Sequence, residues 1–197
     1  MRVSDIDTPA VLIDLDRVEA NLARAQHYAE AHGLRMRPHV KTHKLPQLAR
    51  RQVELGAIGI TCQKIGEAEA MADGGLTDIF LPYNILGDAK LARLECGRGN
   101  GGYLLAAPDA GGWPPPVISP GGTPDLYKAE DASVATEYRP GTYIYSDRMQ
   151  VGWGHGTLDD CALTVKATVV SRPTPDRAVL DTGSKALAAD PVPAPGK

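Results

Sequence analysis

The sequence predicts an α/β protein in which a partial (β/α) barrel of the TIM type is followed by the start of a small β domain. Up to residue 94, short apolar runs of strand length alternate with segments of helical periodicity. This alternation is typical of βαβ units around a parallel sheet. After about residue 160 only strand-like segments occur. We therefore expect an incomplete barrel over residues 1–158 and a truncated β domain over residues 159–197.

The first half of the predicted barrel consists of four strand–helix steps. The strands are predicted at residues 10–14, 34–40, 57–62 and 78–82, and the helices at residues 15–32, 45–55, 67–72 and 88–94. Gly33, Gly56 and Gly74 follow three of these helices, where glycine is a common stop signal. Because crossovers between parallel strands are right-handed, this order suits a (β/α) barrel.

The pattern breaks at residues 95–116, which are rich in glycine and proline. A long structureless stretch inside a compact domain is uncommon, so we interpret it as a flexible joint or as a place where sequence is missing. Beyond it, extended segments are predicted at residues 116–119, 136–139 and 142–145, and a strand over 162–171 is expected to pair with 178–181. The turn between the last two contains Pro173 and Pro175, which favour a hairpin.

Composition excludes several classes of function. The chain has 197 residues with 21 basic and 24 acidic side chains, so its net charge of −3 gives no basic footprint for nucleic acid. No apolar run approaches the ~20 residues of a membrane span. The N-terminus has no apolar signal core, so a cytoplasmic protein is expected. Cys62, Cys96 and Cys161 are far apart and fit reduced thiols.

The string RPHVKTHK, residues 37–44, is the strongest candidate for chemistry. It places Lys41 where a predicted strand ends, which in a (β/α) barrel is the catalytic face. From the spacing alone, a solvated loop lysine is the better interpretation. Two acidic residues further on, Glu67 and Glu69, are predicted to face solvent on a helix, and His155 is predicted to be an exposed loop residue.

This string, with DTPAVLIDLDRVEANL before it and ITCQKIGEAEAMADGGLTDIFLPYNILG after it, resembles fold-type III pyridoxal-phosphate (PLP) enzymes. The closest likeness is to the D-threonine aldolase and D-serine dehydratase family, and it covers roughly residues 1–94 and 116–190. The resemblance implies that PLP is the cofactor. It also implies that Lys41 is the catalytic lysine that binds PLP covalently.

The segment SPGGTPDLY carries a second candidate. Gly121, Gly122 and Thr123 stand where a predicted strand meets a helix, and freed backbone N–H groups there can cradle an anion. The same residues also make an ordinary turn. In the family this segment grips the phosphate of PLP, so the resemblance implies that these three residues bind the cofactor.

The segment TEYRPGTYIYSDRMQ carries a third candidate. On its own, RPGT is a turn beside a strand. The resemblance implies that Arg139 faces the pyridine nitrogen of PLP, and that Gly141 and Thr142 reach the phosphate. An arginine at this position would keep the ring nitrogen unprotonated, because a second positive charge beside it is unfavourable.

Two parts of the family pattern have no match in this sequence. Several strand–helix units are missing where residues 95–115 stand, so the chain is expected to be internally deleted as well as C-terminally truncated. Family members also carry a divalent metal late in the β domain, bound by a histidine and a nearby aspartate or cysteine. No such pair follows Lys185, so no metal ligand is assigned.

The resemblance implies a PLP-dependent lyase that acts on D-β-hydroxy amino acids. Retro-aldol cleavage to glycine and an aldehyde, as in D-threonine aldolase, is the first expectation. D-Serine dehydratase-like elimination is the second, and a racemase-like activity is the third. A non-catalytic remnant of the family is the alternative from a different class. The expected partners are a small D-amino acid and a second copy in a homodimer, with no nucleic acid and no membrane.

Overall fold

The structure is a computed structural model that describes residues 2–83, 85–99, 103–105, 117–127, 135–184 and 186–187. Most of the predicted joint at residues 95–116 and the tail beyond residue 187 therefore lie outside the described residues. The chain divides into two compact units: residues 21–144, and residues 1–20 with 145–197. The expected domain boundary between residues 158 and 159 stays a prediction.

Helices and strands alternate along most of the chain. The helices are α1 (Leu15–Ala31), α2 (Pro46–Glu54), α3 (Ile65–Asp73), α4 (Asp88–Gly99), α5 (Thr123–Leu126) and α6 (Arg148–Gly152). The strands are β1 (Ala10–Ile13), β2 (Arg35–Met36), β3 (Ile60–Thr61), β4 (Ile79–Leu81), β5 (Tyr103–Leu105), β6 (Glu137–Tyr138), β7 (Leu163–Lys166), β8 (Val169–Thr174) and β9 (Arg177–Leu180). None of the described helices is long and apolar enough to cross a membrane.

The strands of the unit formed by residues 21–144 are parallel. β3, β4 and β5 form a three-stranded sheet in that order, and β2 pairs with β6. Parallel strands joined by helices confirm the predicted α/β class. Within the described ranges these strands do not close into a barrel, so the partial barrel stays a prediction.

The core of this unit lies between the β3–β4 pair and the helices that follow the strands. On α3, Ile65, Ala68 and Met71 are buried at a spacing of three residues, which is the spacing of one helix face. On β4, Ile79 and Leu81 alternate with the less buried Phe80. The buried cluster comprises Val40, Ala49, Ile60, Cys62, Ile65, Ala68, Met71, Leu76, Ile79, Leu81 and Leu94.

The other unit contains antiparallel pairs. β1 pairs with β7, and β8 forms a hairpin with β9. The hairpin was expected from the proline-containing turn, and the observed turn is at Pro175 and Asp176. The single strand predicted over residues 162–171 is two strands, β7 and β8.

Three predicted strands differ from the structure. The strand over residues 34–40 is only β2, and Val40–Thr42 form a 3-10 helix. The segment 142–145 is largely a 3-10 helix at Thr142–Ile144. No strand forms at residues 117–119, because the Thr136 hydroxyl binds Ile118 N–H at 2.9 Å and Pro120 has no N–H to donate.

Candidate active site

Lys41 lies in the short 3-10 helix Val40–Thr42, directly after the strand region of residues 35–39. His39 caps the start of this helix, and its Nδ1 accepts the N–H of Lys41 at 3.3 Å. It ends where the N–H groups of His43 and Lys44 both donate to Val40 O, at 3.1 and 2.8 Å. The Lys41 side chain is exposed. This turn therefore fixes the backbone of Lys41 at both ends while its amine faces solvent.

Gly141 comes very close to this turn. The N–H of His39 donates to Pro140 O at 2.9 Å, which joins the two segments. A Cβ on Gly141 would lie 2.8 Å from Thr42 Oγ1 and 3.1 Å from His39 O. Only glycine fits there without a shift of these atoms.

The Gly121–Thr123 segment lies beside the Arg139–Thr142 segment. Gly121 and Arg139 form a parallel β-bridge. Gly122 has a φ of +118°, which favours glycine. The Thr123 hydroxyl, which is buried, accepts the N–H of Tyr143 at 3.1 Å. These contacts join the two segments that the resemblance assigns to the phosphate of PLP.

Arg139 is held in place by Ser119. Its Nε donates to Ser119 O at 3.1 Å and to Ser119 Oγ at 3.0 Å, and its Nη2 donates to Ser119 O at 2.7 Å. The guanidinium carbon lies 5.6 Å from the centre of the Phe80 ring. Ser119 Oγ in turn donates to Glu137 Oε1 at 2.7 Å. The orientation of Arg139 therefore depends on a buried carboxylate that the sequence did not indicate.

Glu137 also pairs with Arg37, and both side chains are buried. Arg37 Nε donates to Glu137 Oε2 at 3.1 Å, and Arg37 Nη1 donates to Asp78. Burial alone would lower the pKa of Arg37, but the hydrogen bonds and charges of Asp78 and Glu137 outweigh it and raise that pKa. A network of charges thus runs from Asp78 to Arg139.

His39 and His43 are neutral at neutral pH. Burial and, to a smaller extent, the positive charge of Lys41 lower the pKa of His39 to about 4. Burial likewise lowers the pKa of His43 to about 4, although its contacts with Gln52 and Leu45 oppose the shift. Because Nδ1 of His39 accepts a hydrogen bond, its Nε2 carries the proton. That Nε2 is buried and has no hydrogen-bond partner in the described part of the chain.

Glu67 is buried, so the prediction that it faces solvent is wrong. Its carboxylate accepts the Lys44 ammonium on one oxygen and the N–H of Gln63, at 2.7 Å, on the other. A signal for this was present in the sequence, because residue 67 lies four before the buried Met71 and so on the same helix face. Glu69 is half-buried and pairs with Arg93.

All seven residues predicted to bind the cofactor lie in the unit formed by residues 21–144. Segment 139–142 adjoins both the Lys41 turn and segment 121–123, although the three are far apart in sequence. His155 lies in the other unit and is half-buried. Within the described ranges, no group of three or more His, Cys, Asp or Glu side chains is placed to hold a metal ion.

Comparison with known sequences gives one matching family model and several relatives. The model described as "Putative serine dehydratase domain" matches residues 162–197. A D-threonine aldolase from Arthrobacter sp. is 46% identical over 89 residues, which cover 45% of this chain and 24% of the relative. The chain thus spans about a quarter of that protein.

A second relative aligns along nearly the whole chain. D-threo-3-hydroxyaspartate dehydratase from Delftia sp. strain HT23 is 27% identical over 279 positions, with 94% of this chain and 73% of the relative covered. The alignment is longer than the chain itself, so the dehydratase contains internal residues that have no counterpart here.

The fold is also similar to that of a solved structure. The structure superposes on an alanine racemase-like protein from Idiomarina loihiensis with a TM-score of 0.80 and 20% identity, and 95% of this chain and 74% of that one are covered. At that identity the likeness shows the fold alone. The family model over residues 162–197 and the two sequence relatives show that the chain is similar in sequence to a serine dehydratase domain, a D-threonine aldolase and a D-threo-3-hydroxyaspartate dehydratase.

Proposed function

We propose that the protein is a PLP-dependent lyase that acts on D-β-hydroxy amino acids, with Lys41 as the residue that binds PLP. One observation supports this proposal: segment 139–142 contacts both the turn that carries Lys41 and segment 121–123. The sequence relatives named as a D-threonine aldolase and a hydroxyaspartate dehydratase support the same class of substrate.

The residues present fit PLP on three counts. The Lys41 amine is exposed, and no ion pair or hydrogen bond engages it within the described ranges. Gly141 has no Cβ at the point where segment 139–142 packs closely against the turn that carries Lys41. Arg139 uses Nε and Nη2 to bind Ser119, and in the described part of the chain no hydrogen bond or ion pair engages its Nη1. Together these residues offer an exposed amine, a close backbone contact and a fixed cation.

Bound PLP would supply an electron sink that stabilises negative charge on the α-carbon of an amino acid. Lys41 Nζ would attach the cofactor and, once released, would hold or return a proton. Arg139 would bind at the ring nitrogen and disfavour a proton there, because Ser119 keeps its charge in place. His39 would hold the backbone N–H of Lys41 without adding positive charge near its amine. Gly121, Gly122, Thr123, Gly141 and Thr142 would hold the phosphate.

Two reactions fit this arrangement. Retro-aldol cleavage to glycine and an aldehyde is the first candidate, since the D-threonine aldolase is the more similar of the two relatives over the aligned part. Elimination of water is the second, because the dehydratase aligns along 94% of the chain. The divalent metal that the resemblance implies is assigned to no residue of this chain.

A spectroscopic experiment tests the cofactor first. The full chain is mixed with PLP, its visible spectrum is recorded, and the mixture is reduced with borohydride and digested. We expect a yellow protein and a pyridoxyl mass on the peptide that contains Lys41. Lys41→Arg should lose both signals, whereas Lys90→Arg, on the exposed side of α4, should keep them. Label on several lysines at random, or none in the folded chain, would overturn the proposal.

The reaction is then tested with substrates. D-Threonine should give glycine and acetaldehyde in the aldolase case, and D-serine should give pyruvate and ammonia in the dehydratase case. A PLP-loaded chain that converts neither, and neither of their hydroxyaspartate analogues, would contradict the lyase proposal while leaving cofactor binding intact.

A further inference from the structure

Two lysine amines lie three residues apart at the candidate site, and both are accessible to solvent. Lys41 is exposed, and the side chain of Lys44 is 54% exposed. Exposure therefore does not explain why one lysine rather than the other would react with an aldehyde. The two side chains differ in their partners: the Lys44 ammonium is bound to Glu67, whereas Lys41 has no such carboxylate within the described ranges.

Glu67 is a fixed partner. Its side chain is only 4% exposed, and its second oxygen accepts the N–H of Gln63 at 2.7 Å. Burial on its own would raise the pKa of Glu67, but the hydrogen bonds from Lys44 and Gln63 outweigh it and hold that pKa below its usual value. The carboxylate is therefore charged at neutral pH, and it cannot rotate away from Lys44 without losing the bond to Gln63.

The backbone of Lys44 is adapted to this ion pair. Lys44 has a φ of +55°, in the left-handed region that residues with a Cβ rarely adopt. Such a conformation persists where its surroundings hold it. Here the N–H of Lys44 donates to Val40 O at 2.8 Å, which closes the turn that carries Lys41. The ion pair and the position of Lys41 thus belong to one local structure.

We infer that Glu67 is a specificity-determining residue that selects Lys41 as the reactive amine by keeping the amine of Lys44 occupied. An ammonium group must leave its carboxylate and give up a proton before it can attack an aldehyde, and Lys41 meets no such barrier from Glu67. Glu67 touches neither cofactor nor substrate in this account, so it is a positioning residue. The inference rests on the proposed function only for the identity of the aldehyde.

Other groups also respond to the charge of Glu67. His39, His43 and Cys62 lie close enough for it to favour their protonated forms. A change in overall charge at residue 67 would therefore alter several groups at once. For this reason the test reads the ratio of labelling at Lys41 and Lys44 rather than a rate at one residue.

The test uses a small acylating reagent on the full chain without PLP. A limiting amount of acetic anhydride is added at neutral pH, and the acetylated fraction of each lysine is measured by mass spectrometry. In the wild-type chain we expect Lys41 to be labelled roughly ten-fold faster than Lys44, as a charge-assisted hydrogen bond would produce. Glu67→Gln keeps the size and the acceptor for Gln63 but loses the charge, so the ratio should fall towards one.

A matched control lies on the same helix. Glu69 pairs with Arg93 at the surface, so Glu69→Gln makes the same chemical change two residues away and should leave the ratio unchanged. Glu67→Asp keeps a charge but shortens the side chain, and it should also release Lys44. If both Glu67 variants are unfolded by circular dichroism, the wild-type ratio alone decides. Equal labelling of Lys41 and Lys44 in the wild type would overturn the inference.

A PLP arm separates this inference from the proposed function. With PLP and borohydride, Glu67→Gln should distribute the pyridoxyl label between Lys41 and Lys44, whereas the wild type should carry it on Lys41. A wild-type chain that shows the acetylation ratio but takes no PLP would support the inference and contradict the proposed function. In the opposite case, the wild type binds PLP at Lys41 while Glu67→Gln changes neither the acetylation ratio nor the distribution of the pyridoxyl label. That result would support the proposed function and contradict the inference.

Discussion

Gly141 packs against Thr42 so closely that a methyl group on its α-carbon would lie 2.8 Å from Thr42 Oγ1. The contact joins the segment that follows β6 to the turn that carries Lys41. Because the second obstacle, His39 O at 3.1 Å, is a backbone atom, a rotation of the Thr42 side chain does not relieve it. The two segments can approach each other this closely only because Gly141 has no side chain.

Gly141→Ala is therefore expected to destabilise the fold. Forcing a methyl group into a packed site costs about 1–3 kcal/mol, and the affinity for PLP should fall because the Lys41 turn is displaced. Urea unfolding and PLP titration measure the two effects. Gly183→Ala is the control, since a Cβ there meets nothing within 4 Å. Equal stability of the two variants would contradict the role given to this contact.

A comparison of Thr123→Val with Thr123→Ser distinguishes what the hydroxyl of Thr123 contributes to stability from what its methyl group contributes. The substitution leaves the N–H of Tyr143 buried without its acceptor, which costs about 1–3 kcal/mol. Thr123→Ser keeps the hydroxyl and loses only a methyl group, at a cost of about 1 kcal/mol. The expected order of unfolding free energy is wild type, then Thr123→Ser, then Thr123→Val. A Thr123→Val variant as stable as the wild type would argue against this bond.

The Arg37–Glu137 pair gives a third prediction. Glu137→Gln removes the buried partner of a buried cation and should lower the free energy of unfolding by about 3 kcal/mol. Asp78 also binds Arg37, but its side chain is 44% exposed, so Asp78→Asn should cost less than about 1 kcal/mol. Chemical denaturation of both variants checks the difference. A larger loss in Asp78→Asn would show that the stabilising charge lies at the surface.

Local elements could be predicted from the sequence to within a few residues. The helix predicted over residues 67–72 lies within α3, and the strand predicted over residues 78–82 contains β4. Buried residues recur at a regular spacing in both elements, so a short stretch of sequence is enough to predict each one. Glu67 was misassigned although it shares the face of Met71, because a carboxylate is rarely buried unless a partner such as Lys44 lies beside it.

Contacts between distant segments carry no such periodic signal. Arg37 and Glu137 are 100 residues apart, and nothing in the neighbourhood of either residue identifies the other. The family resemblance, rather than periodicity, singled out Lys41, Gly121 and Arg139 as candidates. It did not indicate Ser119, whose oxygens hold the Arg139 guanidinium. The cofactor roles themselves stay predictions until PLP binding is measured.

The pH dependence of stability gives a fourth prediction. Since the pKa of His43 falls from its usual 6.5 to about 4 on folding, the unfolded chain binds more protons between these values. The stabilisation is thus present above pH 6.5 and is lost as the pH falls towards 4, with a slope of up to about 1.4 kcal/mol per pH unit. His39 contributes in the same direction.

His43→Asn isolates this effect. The amide oxygen can take over the hydrogen bond that Nδ1 accepts from the N–H of Leu45 at 3.0 Å, and it does not titrate. Between pH 6.5 and 4.5, the variant should lose stability less steeply than the wild type in urea unfolding. Carboxylates that do not interact with His43 contribute equally to both chains and cancel in the difference. Identical slopes would contradict a neutral buried His43.

The pairing of β1 with β7 has a consequence for synthesis of the chain. Ala10 lies opposite Lys166 and Ile13 opposite Leu163, so β1 leaves the ribosome about 150 residues before its partner. At about 5–20 residues per second, its backbone groups wait on the order of ten seconds for a partner strand. During that interval β1 is an open template for other extended chains. Slower translation between these strands should therefore increase aggregation of the nascent protein.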